Sequence, residues 1–341
     1  MAGCLSLKPK SISILSFLVI AIVGLSLISV PAAGAGVGTW TTPFYPTDIA
    51  GQSCVVSGGY IYCIGGDAST SLIPDITNAV YFESLSSGVG VWTPTATYPT
   101  PIEDQSCVVS ASYVYCVGGV TTNAGAPTSA VYFAELTPTG IPSSGVGSWT
   151  LTTAYDTTVY GQTCVASGGY IYCIGGSFTA VYFAKLSSSG VGTWKLTTNY
   201  PTTDQLGSQG CVVSGGYVYC VGGAQGSGGS YPLQAVYFAK LSSSGVGMWK
   251  MSTNTYPTII DSQSCAAYEG YIYCIGGYNG ATSSSVYFAK LPSVGVGAWK
   301  PTVSYPTPIE EQSCVVSGSY IYCVGGWTGS AYTNAVYFAS V

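Results

Sequence analysis

Short runs in which Val, Ile, Tyr and Cys alternate with small polar residues recur along the chain after residue 35. The clearest is residues 54–63, Cys-Val-Val-Ser-Gly-Gly-Tyr-Ile-Tyr-Cys, followed by Ile64-Gly65-Gly66. Near-copies begin at Cys107, Cys164, Cys211, Cys265 and Cys314. Each predicts a β-hairpin, because two β-branched or aromatic runs flank a two-residue turn such as Gly58-Gly59. With that turn, Ser57 faces Tyr60, Val56 faces Ile61, Val55 faces Tyr62 and Cys54 faces Cys63. Counting out from the loop puts the cysteines in a non-hydrogen-bonded pair, where Cα atoms approach to about 4.5 Å. A disulfide tolerates that spacing.

Two further motifs repeat in step with the hairpin. Val-Tyr-Phe recurs with its tyrosine at 81, 132, 182, 237, 287 and 337, and Gly-Val-Gly-x-Trp with its tryptophan at 40, 92, 149, 194, 249 and 299. One unit therefore supplies four strands, at 52–57, 60–64, 79–85 and 91–96. Equivalent cysteines lie 47 to 57 residues apart, the period of a four-stranded propeller blade. The chain opens with a lone fourth-type strand at 39–44 and stops after a third-type strand. Pairing these two closes a ring with no free sheet edge. The expected fold is all-β, a six-bladed β-propeller over residues 36–341.

The double glycine after the second strand (Gly65-Gly66 and its five counterparts), the later tyrosine and the tryptophan of the fourth strand resemble the kelch repeat family. The resemblance covers residues 36–341 and implies binding loops at one end of a central channel. Kelch blades often carry arginine at the start of the first strand. Here Gln52, Gln105, Gln162, Gln209, Gln263 and Gln312 stand there instead. Kelch domains that grip acidic peptides through arginine are poor guides to this chain.

Composition narrows the chemistry. Twelve of thirteen cysteines fall into the pairs Cys54/Cys63, Cys107/Cys116, Cys164/Cys173, Cys211/Cys220, Cys265/Cys274 and Cys314/Cys323. Cys-x8-Cys without histidine is not a usual zinc spacing, so the reading is six disulfides and an oxidising exterior, with a disulfide-rich thermophile interior as the less common case. Each short loop makes its bridge worth on the order of 2–3 kcal/mol by chain entropy. Residues 1–35 read as a signal peptide or an uncleaved membrane anchor. Lys8 and Lys10 precede an apolar run at 12–30, and Ala33-Gly34-Ala35 or Val30-Pro31-Ala32 offers a small-residue cleavage site. Localisation is then extracellular or cell-surface. Without residues 1–35, six lysines oppose thirteen carboxylates, a net charge of −7. With no arginine and so few lysines, nucleic acid is excluded as a partner.

The candidate binding face gathers the fourth-to-first loops, carrying Asp48, Glu103, Asp104, Asp156, Asp204, Asp261, Glu310 and Glu311, with Asp67 and Asp75 from second-to-third loops on the same side. Lysines 185, 195, 240, 250, 290 and 300 flank the opposite side. An acidic rim suits a cation, a basic partner or a glycan; equally, loops are where charge is tolerated. The six glutamines offer amides to a ligand or, since every repeat has one, satisfy a neighbouring blade's backbone. Trp327 and Tyr278 follow the double glycine in single repeats and are candidates for ligand stacking. The repeated tryptophans read as packing. Absence of histidine removes the usual general base and metal ligand. No cofactor or metal is expected, and no enzyme beyond a carboxylate-only glycosidase using Glu103 with Asp104 or Glu310 with Glu311. The expected function is a binding or scaffold protein presenting loops to a protein or glycan; a surface-layer or filament subunit is the alternative.

Overall fold

The computed structural model describes residues 36–341, apart from 70–73, 86–87, 122–124, 138–144, 177, 203 and 227–230. The signal or anchor reading of residues 1–35 lies outside the described residues. So do parts of the second-to-third loops.

All regular structure among the described residues is β. Each repeat forms one antiparallel sheet, numbered I to VI in chain order. Sheet I runs Ser53–Ser57, Tyr60–Ile64, Val80–Ser84 and Thr93–Pro94 from the inside outward. The hairpin register is the one the turn dictates, Ser57 against Tyr60 and Cys54 against Cys63.

All six disulfides form, with Cα atoms 4.0–4.1 Å apart. The second member of each pair, Cys63, Cys116, Cys173, Cys220, Cys274 or Cys323, is 0% exposed. Each of these six sits on a second strand, in a different cluster of apolar side chains between neighbouring sheets. These cysteines are therefore core residues that brace the interior, and they contribute nothing to an accessible binding face. The bridges are sealed into the core because the second strand is covered by a sheet on either side.

The fourth strand is shorter than residues 91–96. In sheet II, Thr150–Leu151 pairs with Tyr132 and Phe133 near the start of Val131–Thr137, while Gly145–Val146 pairs separately with its end. The residues between, which include Trp149, leave the ladder so that the indole can pack inward. The closing strand also lies later than residues 39–44. Phe44–Ile49 pairs with Thr333–Ser340 in sheet VI, with a register break, and Thr41 adds an isolated bridge to Phe338. Pro43 and Pro46 account for the interruption, since neither has an N–H to donate.

The hydrophobic core lies between sheets. One cluster joins Val165, Tyr172 and Phe183 of sheet III to Cys211, Val218 and Leu241 of sheet IV. The tyrosine of each Tyr-Pro turn acts as the bolt. Tyr98 is 2% exposed and meets Tyr132 and Trp149 edge-on, at 5.3 and 4.9 Å between ring centroids. The same triad recurs at each sheet junction, so the repeated tryptophans belong to packing. The double glycine is required by close approach. Gly119 has φ +100°, its N–H donates to Val159 O at 2.8 Å, and a Cβ there would sit 2.6 Å from Glu103 O.

Inner strands of consecutive sheets lie side by side, and the strand of sheet VI returns to that of sheet I. A hoop of main-chain hydrogen bonds fastens this ring at one end. Gly51, Asp104, Gly161, Ser208, Ser262 and Glu311 stand one residue before the six glutamines, and all have φ between 54° and 65°. The N–H of each donates to the carbonyl of its counterpart in the preceding sheet, at 2.9–3.3 Å, and Gly51 closes the cycle by donating to Glu311 O.

Candidate functional site

The hoop frames the mouth of the channel and a cavity of about 260 Å³. A residue in the left-handed region points its side chain away from the direction the strand would dictate, so the hoop positions decide what the mouth presents. Asp104 and Glu311 open into the cavity, flanking Gly51 in ring order; Ser208 and Ser262 add hydroxyl groups, and Tyr160 joins from the sheet III side. Left-handed backbone at a non-glycine residue costs about 1 kcal/mol or more, a cost met here at four of six hoop positions.

Behind the hoop, a two-residue ladder fixes the next layer. Glu103 exchanges backbone hydrogen bonds with Val120, Asp261 with Tyr278, and Glu310 with Trp327, at 2.8–3.1 Å. Tyr278 and Trp327 are therefore held directly beside Asp261 and Glu310. Tyr278 is 38% exposed, and Trp327 meets Tyr332 edge-on at 5.3 Å. Asp67 is the buried hub of sheet I's loop. It accepts from the N–H of Ser69 (2.9 Å) and Asp75 (2.8 Å) and from the Tyr332 hydroxyl (3.0 Å).

Crowding makes these carboxyl groups weak acids. Glu311 has an accessible edge in the cavity but protein on its other sides. Loss of bulk water, then the fields of Asp104, Glu310, Glu103 and Asp261, push it up to about 8. Desolvation and Asp67 push Asp104 up to about 6. Glu103 and Glu310 rise to about 7, first through burial and then through Asp104 and Asp67 in one case and Asp261 in the other. Asp261 is raised by burial, in opposition to the hydrogen bond that Ser262 donates to it at 2.8 Å. Desolvation leads in every case, and channel water moderates it for Asp104 and Glu311, whose side chains are solvent-accessible.

The acidic crescent therefore spans sheets V, VI, I and II, and the rest of the expected rim is elsewhere. Asp156 accepts a 2.7 Å hydrogen bond from Tyr182 on an outer strand. Asp204 caps its own loop at Gln205 N–H, and Asp48 lies in the closing strand. Each glutamine Nε2 donates to a second-strand carbonyl of the preceding sheet at 2.6–2.7 Å, such as Gln105 to Ile64 and Gln52 to Val324. The glutamines are buried between sheets, and their Oε1 atoms have no partner. Ser208, Ser262, Tyr160 and Tyr332 escaped the sequence reading. The signal for the first two was glycine at the matching place in two other repeats, Gly51 and Gly161. Among the described residues, no group of three or more His, Cys, Asp or Glu is arranged to hold a metal ion.

No protein-family model matches the chain, and no curated protein sequence matches it. Its fold does have solved counterparts. The structure of YjhT superposes with a TM-score of 0.69 at 14% sequence identity, covering 86% of this chain and 95% of that one. At that identity the likeness concerns the fold alone, and the chain is a β-propeller of repeated four-stranded antiparallel sheets.

Proposed function

We propose that this is a secreted or surface-held binding protein whose channel mouth takes a polyhydroxyl ligand, the end of a glycan. The observation that carries the reading is the union of groups in one cavity. Asp104, Glu311, Ser208, Ser262 and Tyr160 line it, and the backbone ladder behind the hoop holds Tyr278 and Trp327 beside Asp261 and Glu310. Carboxyl groups titrating between about 6 and 8 both accept and donate hydrogen bonds near neutral pH, which suits hydroxyl groups better than a fixed anion does. Aromatic faces cover the apolar side of a sugar ring. A cavity of about 260 Å³ is slightly below the usual range for small-molecule pockets, about 300–1,000 Å³. It suits a single sugar unit. Six disulfides support an oxidising, extracellular setting, and the motifs support a kelch-like assignment of the repeats.

Glycan arrays followed by titration of any hit test this. Trp327→Ala, and separately Asp104→Asn with Glu311→Gln, should each weaken binding at least tenfold. Unchanged affinity in both would remove the mouth as the binding site. One observation favours a second reading, a carboxylate-based glycosidase: the partners are not the sequence-adjacent pairs but Asp104 and Glu311, brought into one cavity with unequal acidities. Glycoside hydrolysis needs such a pair. Release of reducing sugar by the wild type, lost in Glu311→Gln, would replace binding with turnover.

A further inference from the structure

All six lysines of the described chain sit on three consecutive sheets, III, IV and V. Lys185, Lys240 and Lys290 lie opposite Tyr170, Tyr217 and Tyr271, the first residues after the hairpin turns. Lys195, Lys250 and Lys300 lie opposite Phe183, Phe238 and Phe288 on the outer strands. In each sheet the two lysines are thus diagonal neighbours on one side, at Cα spacings of about 7–8 Å. All six are exposed, and among the described residues none pairs with a carboxylate. Sheets I and II carry Glu83 and Glu135 near the same level instead, and sheet VI ends in Ser340. The one carboxylate within the basic sector on this side is Glu269, in the sheet V hairpin turn.

The turns after the third strands lie on the same side, since Leu186, Leu241 and Leu291 N–H groups donate to hairpin-turn carbonyls. The third-to-fourth connections of sheets IV and V, between the paired lysines in sequence, each expose an apolar side chain. Met248 is 79% exposed and Val294 81% exposed. Copying of repeats accounts for recurrent lysines. It does not account for Met248 where sheet III has Thr193, although sheet I also exposes an apolar residue there, Val91 at 85%, nor for Val294 where sheets III and IV have Ser189 and Ser244.

The described chain also begins here. Gly38 N–H bonds Ser340 O at the hairpin-turn end of sheet VI, and Val37 N–H bonds the Thr302 hydroxyl, two residues after Lys300. The apolar run at 12–30 ends six residue steps before Gly36, a reach of at most about 20 Å.

We propose that the hairpin-turn side of sheets III to V is a membrane-docking surface for anionic lipid, with Met248 and Val294 entering the headgroup layer and the acidic mouth facing away. A bilayer supplies the anionic plane that this unpaired basic sector lacks. The six residue steps from the apolar run to Gly36 set an upper limit on the distance of Gly36 from any membrane that holds that run. Charge separation across the molecule sets the orientation, because the acidic crescent occupies the mouth side.

Residues 36–341 hold every sheet found among the described residues, all six disulfides and the closing strand, so they suffice for the test. Flotation would be measured with phosphatidylcholine vesicles and with vesicles containing phosphatidylglycerol. A lysine near an anionic surface contributes roughly fivefold in partition. Lys195→Gln, Lys250→Gln and Lys300→Gln together should therefore lower binding to anionic vesicles on the order of 100-fold. Glu83→Gln with Glu135→Gln serves as the control on sheets I and II and should not lower it. At high salt, where lysine attraction is screened, Met248→Ser with Val294→Ser should remove the residual binding. Partition indifferent to lipid charge would overturn the proposal. So would binding to soluble acidic polysaccharide or to a second copy that the triple variant abolishes while vesicle binding persists.

Discussion

Replacing Glu311 by glutamine should make the protein's stability less sensitive to pH, and in one direction only. The folded state raises the Glu311 pKa from 4.5 to about 8, so the folded protein holds that proton more tightly than the unfolded chain does. Stability from this group is complete below about pH 4.5 and is lost as pH climbs toward 8. Undiminished, the shift converts to about 5 kcal/mol at 1.36 kcal/mol per unit. The carboxyl has an accessible edge in channel water, which screens charge, so about 2 kcal/mol is the better magnitude. Glutamine keeps the shape and the left-handed backbone cost (φ +58°) and removes only the ionisation. Thermal unfolding with disulfides intact, followed from pH 4 to 8, reads the difference. Wild type and variant should coincide near pH 4. At pH 8 the variant should melt roughly 3–6 °C higher, scaled from the few degrees per kcal/mol of domains this large. Glu103 and Glu310, also raised, leave the variant a smaller slope of its own. A wild-type melting temperature that is flat or rising over this range would refute the reasoning. An equal gain at both pH values would assign the effect to packing.

Two further outcomes separate the forces holding the ring. Replacing both Cys211 and Cys220 with serine should cost about 2–3 kcal/mol, because the bridge closes a short loop whose entropy the unfolded chain regains; chemical denaturation measures it, and no change in midpoint would mean that the hairpin holds its register unaided. Gly118→Ala should cost well over 2 kcal/mol, as its Cβ would collide with Val159 O, whereas Gly58→Ala, at a matching φ (+58° against +65°) but with nothing within 4 Å, should cost only about 1 kcal/mol. Equal losses would show that dihedral strain, not close approach, demands the double glycine.

The hairpins were legible because a two-residue turn leaves one register, and Cys54 could face only Cys63. How deeply the bridges sit was not, because the cover over Cys116 or Cys274 comes from the neighbouring sheets. Closure was legible for the same reason as the register, since a solitary strand at one end and a missing strand at the other answer one another. The limits of the fourth strand were hidden. Trp149 must leave the ladder to reach Tyr98, and that contact belongs to a neighbouring sheet, which a local pattern does not contain. Pro43 and Pro46 likewise displaced the closing strand. At the candidate site, two carboxylates of the fourth-to-first loops, Asp104 and Glu311, line the channel mouth, but their sorting from the others was hidden. Asp104 and Asp156 look alike in sequence, yet one occupies a left-handed position at the channel and the other bonds an outer-strand tyrosine. Backbone handedness made that choice.

Because the hoop is fastened entirely through main-chain atoms, closure of the ring is indifferent to the side chains it carries. Any residue that tolerates left-handed backbone will serve, and this chain already uses Gly, Ser, Asp and Glu in that office. The six positions behave as sockets around a common opening, each fillable without renegotiating the joints between sheets. Installing Asp or Asn at Gly161, where a Cβ would have Ser208 Oγ no nearer than 4.0 Å, would change what the opening presents while the architecture stays as it is. The chemistry of such an opening can drift one socket at a time.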